Sequence, residues 1–164
     1  MNNIAIIPAR SGSKGLPDKN ILDLNGHPLM YYTIKAALKS GCFDTVMVST
    51  DSEKYADIAK SCGAEVPFLR TEELSSDTAG SWDVVREVLT QYKVMGNSFD
   101  YVALMQPTSP LRNAEDIKNA FKILSKDNVH TVVSVTEVEH PVQWCFTMPE
   151  SGSMKKYAES PYNQ

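Results

Sequence analysis

Apolar positions in this chain of 164 residues follow two patterns, short continuous runs and longer stripes with a helical period. Residues 3 to 8 form a continuous run rich in β-branched isoleucine, which predicts a strand covered on both faces, as in a parallel sheet. Beyond a polar loop, Ile21, Leu24 and an Asn25-Gly26 turn lead to Pro28 as the first residue of a helix. That helix reaches about Lys39, with Met30, Ile34, Ala37 and Leu38 on its buried face and Gly41 as its stop. Thr45 to Ser49 reads as a second strand, and Asp51 or Ser52 caps a helix from Glu53 to Cys62 that closes at Gly63. A short strand follows around Glu65 to Leu69, and a stripe of Trp82, Val85, Val88, Leu89 and Tyr92 marks a helix ending at Gly96. Tyr101 to Met105 is a further strand, Asn113 caps a helix faced by Ile117, Ala120, Phe121 and Leu124, and Thr131 to Val135 is another strand. From Pro141 the pattern weakens. Trp144, Cys145 and Phe146 suit a strand and Glu150-Ser151-Gly152-Ser153 a turn.

Strands alternating with amphipathic helices predict a three-layer α/β domain with a mostly parallel sheet. In such sheets ligands collect beyond the carboxyl ends of the strands, and three unusual loops each follow a strand. Arg10 to Asn20 combines Gly12 and Gly15, the hydroxyls of Ser11 and Ser13, and the cations Arg10, Lys14 and Lys19, a composition suited to cradling phosphate. Arg70 to Ser81 adds an arginine and hydroxyls, and Gln106 to Arg112 an amide, two hydroxyls and an arginine. Together they suit a nucleoside triphosphate and a polyhydroxylated second substrate. Neither G-x-x-x-x-G-K-[ST] nor G-x-G-x-x-G occurs, which removes support for a P-loop ATPase or a dinucleotide dehydrogenase.

Bulk composition narrows the partner. Hydrophobic residues make up 42% and charged residues 22%, ordinary for a globular domain, and the length fits a single domain over 1–164. A net charge of −4 gives nucleic acid no bulk attraction, so the cations of the first loop are a local feature suited to a small anion. Three widely spaced cysteines, Cys42, Cys62 and Cys145, form no C-x-x-C pair and read as small buried thiols. No apolar run has signal-peptide or membrane-spanning length, so the expectation is a cytoplasmic protein with no membrane partner.

Three segments in register then point to a family. Ile6-Ile7-Pro8-Ala9-Arg10-Ser11-Gly12-Ser13-Lys14-Gly15 with Lys19-Asn20, Phe68-Leu69-Arg70 with Ser76-Asp77-Thr78-Ala79, and Leu104-Met105-Gln106-Pro107-Thr108-Ser109-Pro110-Leu111-Arg112 together resemble the acylneuraminate cytidylyltransferases. The resemblance covers residues 4 to about 140. It implies a three-layer Rossmann-like nucleotidyltransferase fold, and transfer of CMP from CTP to the anomeric hydroxyl of N-acetylneuraminic acid, a nine-carbon sugar acid, with release of pyrophosphate. It also implies a divalent metal, usually Mg2+, and a homodimer in the complete protein.

Carried onto this sequence, the resemblance implies catalytic, triphosphate-contacting roles for Arg10 and Lys19, and CTP binding by Ser13, Lys14, Gly15 and Asn20. Arg70, Ala79 and Ser81 match the cytosine-reading region, and Gln106, with Thr108 and Ser109 as weaker neighbours, faces the sugar. Lys19→Ala is accordingly expected to weaken catalysis far more than Asp18→Ala. Simpler readings stand beside these. Arg70 pairs with Glu72 or Glu73 on the surface, Ser81 only caps a helix, Asp51 is a capping residue, Arg112 either fixes its proline-rich loop or reaches a substrate, and His27, His130 and His140 are structural or solvated.

Family members also carry an Asp-x-Asp pair that holds the metal, and this sequence contains none, so no metal ligand is assigned. The expectation is an N-terminal portion, truncated at the C-terminus, that lacks part of the active site. Two alternatives stay open: a cytidylyltransferase for another nonulosonic acid, such as legionaminic or pseudaminic acid, or for an eight-carbon sugar acid, and a non-catalytic CTP-binding module.

Overall fold

The computed structural model describes residues 1–13, 15–75, 80–140, 145–150, 152 and 154–156. They group into two units, Met1–Val132 and Val133–Gln164. The first holds three parallel strands in the order β4-β1-β5: β1 (Asn3–Pro8) in the centre, β4 (Thr45–Ser49) on one side and β5 (Tyr101–Leu104) on the other. Ile4 to Pro8 pair with Thr45 to Ser49, and Asn3 to Ile6 with Tyr101 to Leu104. A two-stranded ribbon, β2 (Asp23–Leu24) with β3 (His27–Pro28), turns at Asn25 and Gly26, whose φ angles of 53° and 86° are those of a tight hairpin. Among the described residues of the unit the α-helices are α1 (Leu29–Ser40), α2 (Glu53–Ser61), α3 (Ser81–Val94) and α4 (Ala114–Leu124).

Strand alternation sorts the core into two layers. Ala5, Ile7, Val46 and Val48 pack with Met30, Ile34, Tyr55 and Ile117 on one face, while Ile4, Ile6 and Met47 pack with Val85, Val88 and Tyr92 on the other. The three-layer α/β fold with a parallel sheet is therefore the one expected. No helix of the described residues is long and apolar enough to cross a membrane.

Local chemistry sets the helix ends. Ser52 and not Asp51 caps α2, its hydroxyl accepting from the N–H of Tyr55 at 3.4 Å. Asn113 caps α4 through the N–H groups of Glu115 and Asp116, and Gly41 ends α1 at φ 65°. Pro28 lies just before α1 rather than inside it.

Several expectations fail for identifiable reasons. Leu38 is 41% exposed, because the buried side of α1 is formed by Met30, Thr33, Ile34, Ala36, Ala37 and Ser40. Trp82 is exposed in the first turn of α3, and Val84 takes its place among the buried residues. The Glu65–Leu69 strand shrinks to one bridge, Glu65 with Met47. Glu65 N–H donates to Val46 O and its carbonyl accepts from Val48, but Pro67 has no N–H with which to continue the ladder. Thr131 to Val135 joins no strand pairing among the described residues, and Val133 and Val135 are exposed. Cys62 is buried as expected, but Cys42 is half-buried and Cys145 exposed.

In the second unit, β6 (Phe146–Thr147) pairs antiparallel with β7 (Lys155–Lys156), and Gly152 takes φ 74° between them. The expected strand thus includes Phe146. Trp144, and Ser151 and Ser153 of the expected turn, lie outside the described residues.

Candidate active site

All three strands of the parallel sheet run the same way, so the loops leaving β1, β4 and β5 emerge on one edge. Sheet-like pairing carries on just past the strands: Ala9 N–H donates to Ser49 O at 2.9 Å, and Met105 N–H to Ile6 O at 2.9 Å. The loops therefore start from a fixed frame. Between them lies a cleft of about 240 Å³, lined by Pro8, Arg10, Ser13, Lys19, Asn20, Arg70, Leu74, Ser81, Val84, Gln106, Pro107 and Thr108.

The first loop is held at both ends. Asp51, just past β4, accepts the Ser11 N–H on Oδ1 at 2.8 Å and the Ser11 hydroxyl on Oδ2 at 2.9 Å. Asp51 is thus a brace for the loop and not the helix cap expected of it. Farther along, Asn20 is buried and its Nδ2 donates to Arg10 O at 3.1 Å, folding the loop back on itself. Arg10 Nη1 donates to Ser75 O at 3.3 Å, tying the first loop to the segment that follows Arg70.

Arg70 is only 7% exposed, so the surface pairing with Glu72 or Glu73 is replaced by a buried one. Its Nε donates to Ser49 Oγ at 3.0 Å and its Nη2 to Ser49 O at 2.6 Å, while its own N–H donates to Thr50 O at 2.7 Å. Burial pushes its pKa below the ordinary arginine value; Asp51 and Glu87 act the other way, and Arg10 adds to the depression. An arginine stays protonated through such a shift, so the cleft presents fixed positive charge from Arg10 and Arg70, with Lys19 beside them. Arg112 is half-buried, its pKa also lowered by burial and opposed by Asp116, and it lies outside the cleft lining.

Ser81 is the first helical residue of α3 and faces the cleft, with Gly80 at the capping position. Of the candidates, Arg10, Ser13, Lys19, Asn20, Arg70, Ser81, Gln106 and Thr108 come together in the lining. Gly15 and Ser109 are exposed outside it, and Lys14 and Ala79 lie outside the described residues. Sequence reasoning missed Leu74 and Val84, which supply apolar wall. Val84 sits three residues after Ser81 on one helix face, a signal hidden by the pull of Trp82.

The described residues do not fit a divalent metal site by themselves. Among them no three His, Cys, Asp or Glu side chains converge, and both oxygens of Asp51 are engaged by Ser11.

A family model described as Cytidylyltransferase matches residues 4–150. The chain belongs to that family. A CMP-N,N'-diacetyllegionaminic acid synthase of Legionella pneumophila is 44% identical over 95% of this chain and 67% of its own length. An N-acylneuraminate cytidylyltransferase of Streptococcus agalactiae is 49% identical over 86% of this chain, which spans 34% of that longer protein. Among solved structures, a CMP:2-keto-3-deoxy-manno-octonic acid synthetase complexed with CTP superposes with a TM-score of 0.66 at 23% identity, covering 77% of this chain and 48% of the other. The chain thus spans about half of that structure and about two thirds of the first relative. The cytidylyltransferase family is one of nucleotidyltransferases, and the fold of this chain is theirs.

Proposed function

We propose that this chain carries the CTP-binding portion of a cytidylyltransferase that transfers CMP to the anomeric hydroxyl of a nine-carbon sugar acid, N-acetylneuraminic acid in the first instance. The observation that carries the reading is one cleft at the strand ends, which gathers Arg10 and Lys19 of the first loop, Arg70 with Ser81, and Gln106 with Thr108. In the reaction the sugar hydroxyl oxygen forms a bond to the α-phosphorus and loses its proton, while the bond from that phosphorus to the bridging oxygen breaks and pyrophosphate departs. Arg10 and Lys19 bind the triphosphate and offset the charge that develops on the leaving group. Asn20, fixed by Arg10 O, holds the loop in register with the ribose end. Arg70 and Ser81 read the base by hydrogen bonds that uracil would leave unpaired. Gln106 and Thr108 orient the sugar acid, so the two substrates react as neighbours. Cytoplasmic localisation and a homodimeric parent protein go with this proposal.

A second sugar has a specific observation in its favour. The relative from Legionella pneumophila, which matches over 95% of this chain, is named for a legionaminic acid derivative, against 86% for the N-acylneuraminate relative. Calorimetric titration of the folded chain with CTP, UTP and ATP tests the nucleotide assignment. Binding confined to CTP is expected, and no heat at millimolar CTP overturns it. Pyrophosphate release from CTP in the presence of N-acetylneuraminic, legionaminic or pseudaminic acid, measured for this chain and for any longer parent, separates the sugars. CTP binding with no release from either protein would favour a non-catalytic module.

A further inference from the structure

Lys19 reaches the cleft from a short 3-10 turn, Lys19–Ile21, and the residue that starts this turn is not an ordinary one. Asp18 adopts φ 54° and ψ 20°, the left-handed region that residues other than glycine, asparagine and aspartate rarely enter. Its carbonyl accepts from the N–H groups of Ile21 at 2.9 Å and Leu22 at 3.2 Å. Its carboxylate Oδ1 accepts from the hydroxyl of Tyr55 at 2.9 Å. Tyr55 is 1% exposed and sits in the first turn of α2, packed within the core between the sheet and the helices. A buried phenol on a rigid helix therefore reaches the surface loop at the position whose backbone must be held. The titratable groups around it are Asp18 and Asp51, both carboxylates that favour the protonated, donating phenol.

We propose that Tyr55 is a positioning residue for the triphosphate-binding loop: through Asp18 it fixes the turn that delivers Lys19 and Asn20 to the cleft. The cleft side of this inference rests on the CTP-binding reading above, while the brace itself does not. The bond from Tyr55 links α2 to the loop across 37 positions of sequence, and Asp51 braces the other end of the same loop through Ser11. The loop is thus pinned at residues 11 and 18 by carboxylates, one belonging to the strand-end frame and one answering to it. Asp18, a bystander beside Lys19 in the sequence, becomes part of the mechanism of loop placement. Lys19→Ala is still expected to be the more damaging change, because it removes a charge from the cleft.

The variants are Tyr55→Phe, Asp18→Ala, Asp18→Asn and the double variant Tyr55→Phe with Asp18→Ala. Phenylalanine keeps the buried ring, and asparagine keeps an acceptor and tolerates the left-handed region. Two readouts are needed. Amide hydrogen exchange at Ile21 and Leu22, without nucleotide, reads the brace. Exchange faster in Tyr55→Phe and Asp18→Ala, near wild type in Asp18→Asn, and no faster in the double variant than in Asp18→Ala is the expected result. Exchange unchanged in Tyr55→Phe overturns the brace whatever CTP does. CTP titration reads its consequence, with affinity roughly threefold to tenfold weaker in Tyr55→Phe, equal to or less than the loss in Asp18→Ala, and restored by Asp18→Asn. Faster exchange with unchanged CTP affinity overturns the positioning role. A wild-type chain that binds no CTP overturns both the nucleotide reading and the positioning role, and leaves the exchange data to decide the brace alone.

Discussion

Replacing Arg70 by methionine separates what this side chain does for the fold from what it does for a ligand. In the fold it donates two hydrogen bonds to Ser49, at 3.0 and 2.6 Å, and from a charged donor these are worth about 3 kcal/mol together at the low end of their range. Opposing them is the cost of holding a guanidinium at 7% exposure, itself several kcal/mol, which shows as the downward push of burial on its pKa. Methionine, an unbranched side chain, carries no such cost, and Ser49 O keeps the N–H of Ala9 as a donor at 2.9 Å. The two contributions nearly cancel, leaving the cost of the buried Ser49 Oγ that loses its Arg70 donor, so stability in the absence of ligand should fall by about 1–3 kcal/mol. On the proposed CTP-binding role, binding has no such compensation, since the guanidinium would be lost as a charged donor and nothing replaces it. CTP affinity should fall by about tenfold to a hundredfold, the equivalent of one charged hydrogen bond at about 1.5–3 kcal/mol. Urea unfolding and CTP calorimetry on the same variant check both numbers. Unchanged CTP affinity, or a stability loss above about 3 kcal/mol, would refute the reasoning.

Other predictions test the frame and the charge. Lys19→Ala should weaken CTP binding, and wild-type affinity should itself fall as salt rises from 50 to 500 mM (roughly), because the cations lining the cleft are screened; a salt-independent affinity counts against a triphosphate in the cleft. Asn113→Ala should cost about 1 kcal/mol in urea unfolding, since it strips the acceptor shared by the N–H groups of Glu115 and Asp116. Gly41→Ala should cost about 1 kcal/mol from its φ of 65° alone, with open space around the new methyl. Gly63→Ala should cost more, because φ is 96° and the added carbon meets Leu38 Cδ1 at 3.1 Å; equal melting temperatures for the two glycine variants would contradict this ranking.

Much of the site was legible because it depends on chain direction. Parallel strands send their following loops to one edge, so finding Arg10 and Gln106 after β1 and β5 was enough to expect them together, whereas Arg70 follows only the Glu65–Met47 bridge and is placed by its bonds to Ser49 and Thr50. What stayed hidden depends on partners far away in sequence. Nothing beside Arg70 announces Ser49, nothing beside Asp18 announces Tyr55, and Asp51 looks like a cap until Ser11 is seen against it. Periodicity also misjudged the largest apolar residues. Leu38 and Trp82 fit a stripe by spacing, yet both are exposed, while Ala36 and Ala37 of α1 and Val84 of α3 are buried.

By itself the sequence determined the helices α1 to α4, the strands β1, β4 and β5 between them, and the types of loop at their ends. Those follow from local rules: apolar period, glycine at left-handed stops and polar caps. Tertiary structure alone decided which of the loop residues share a cleft, that Arg70 is buried on Ser49, and that the lysine-bearing turn is held by a phenol from α2. The reason is that a hydrogen bond is fixed by position within about 3 Å, and separations of 21 and 37 residues carry no such information until the sheet and helices have closed around them.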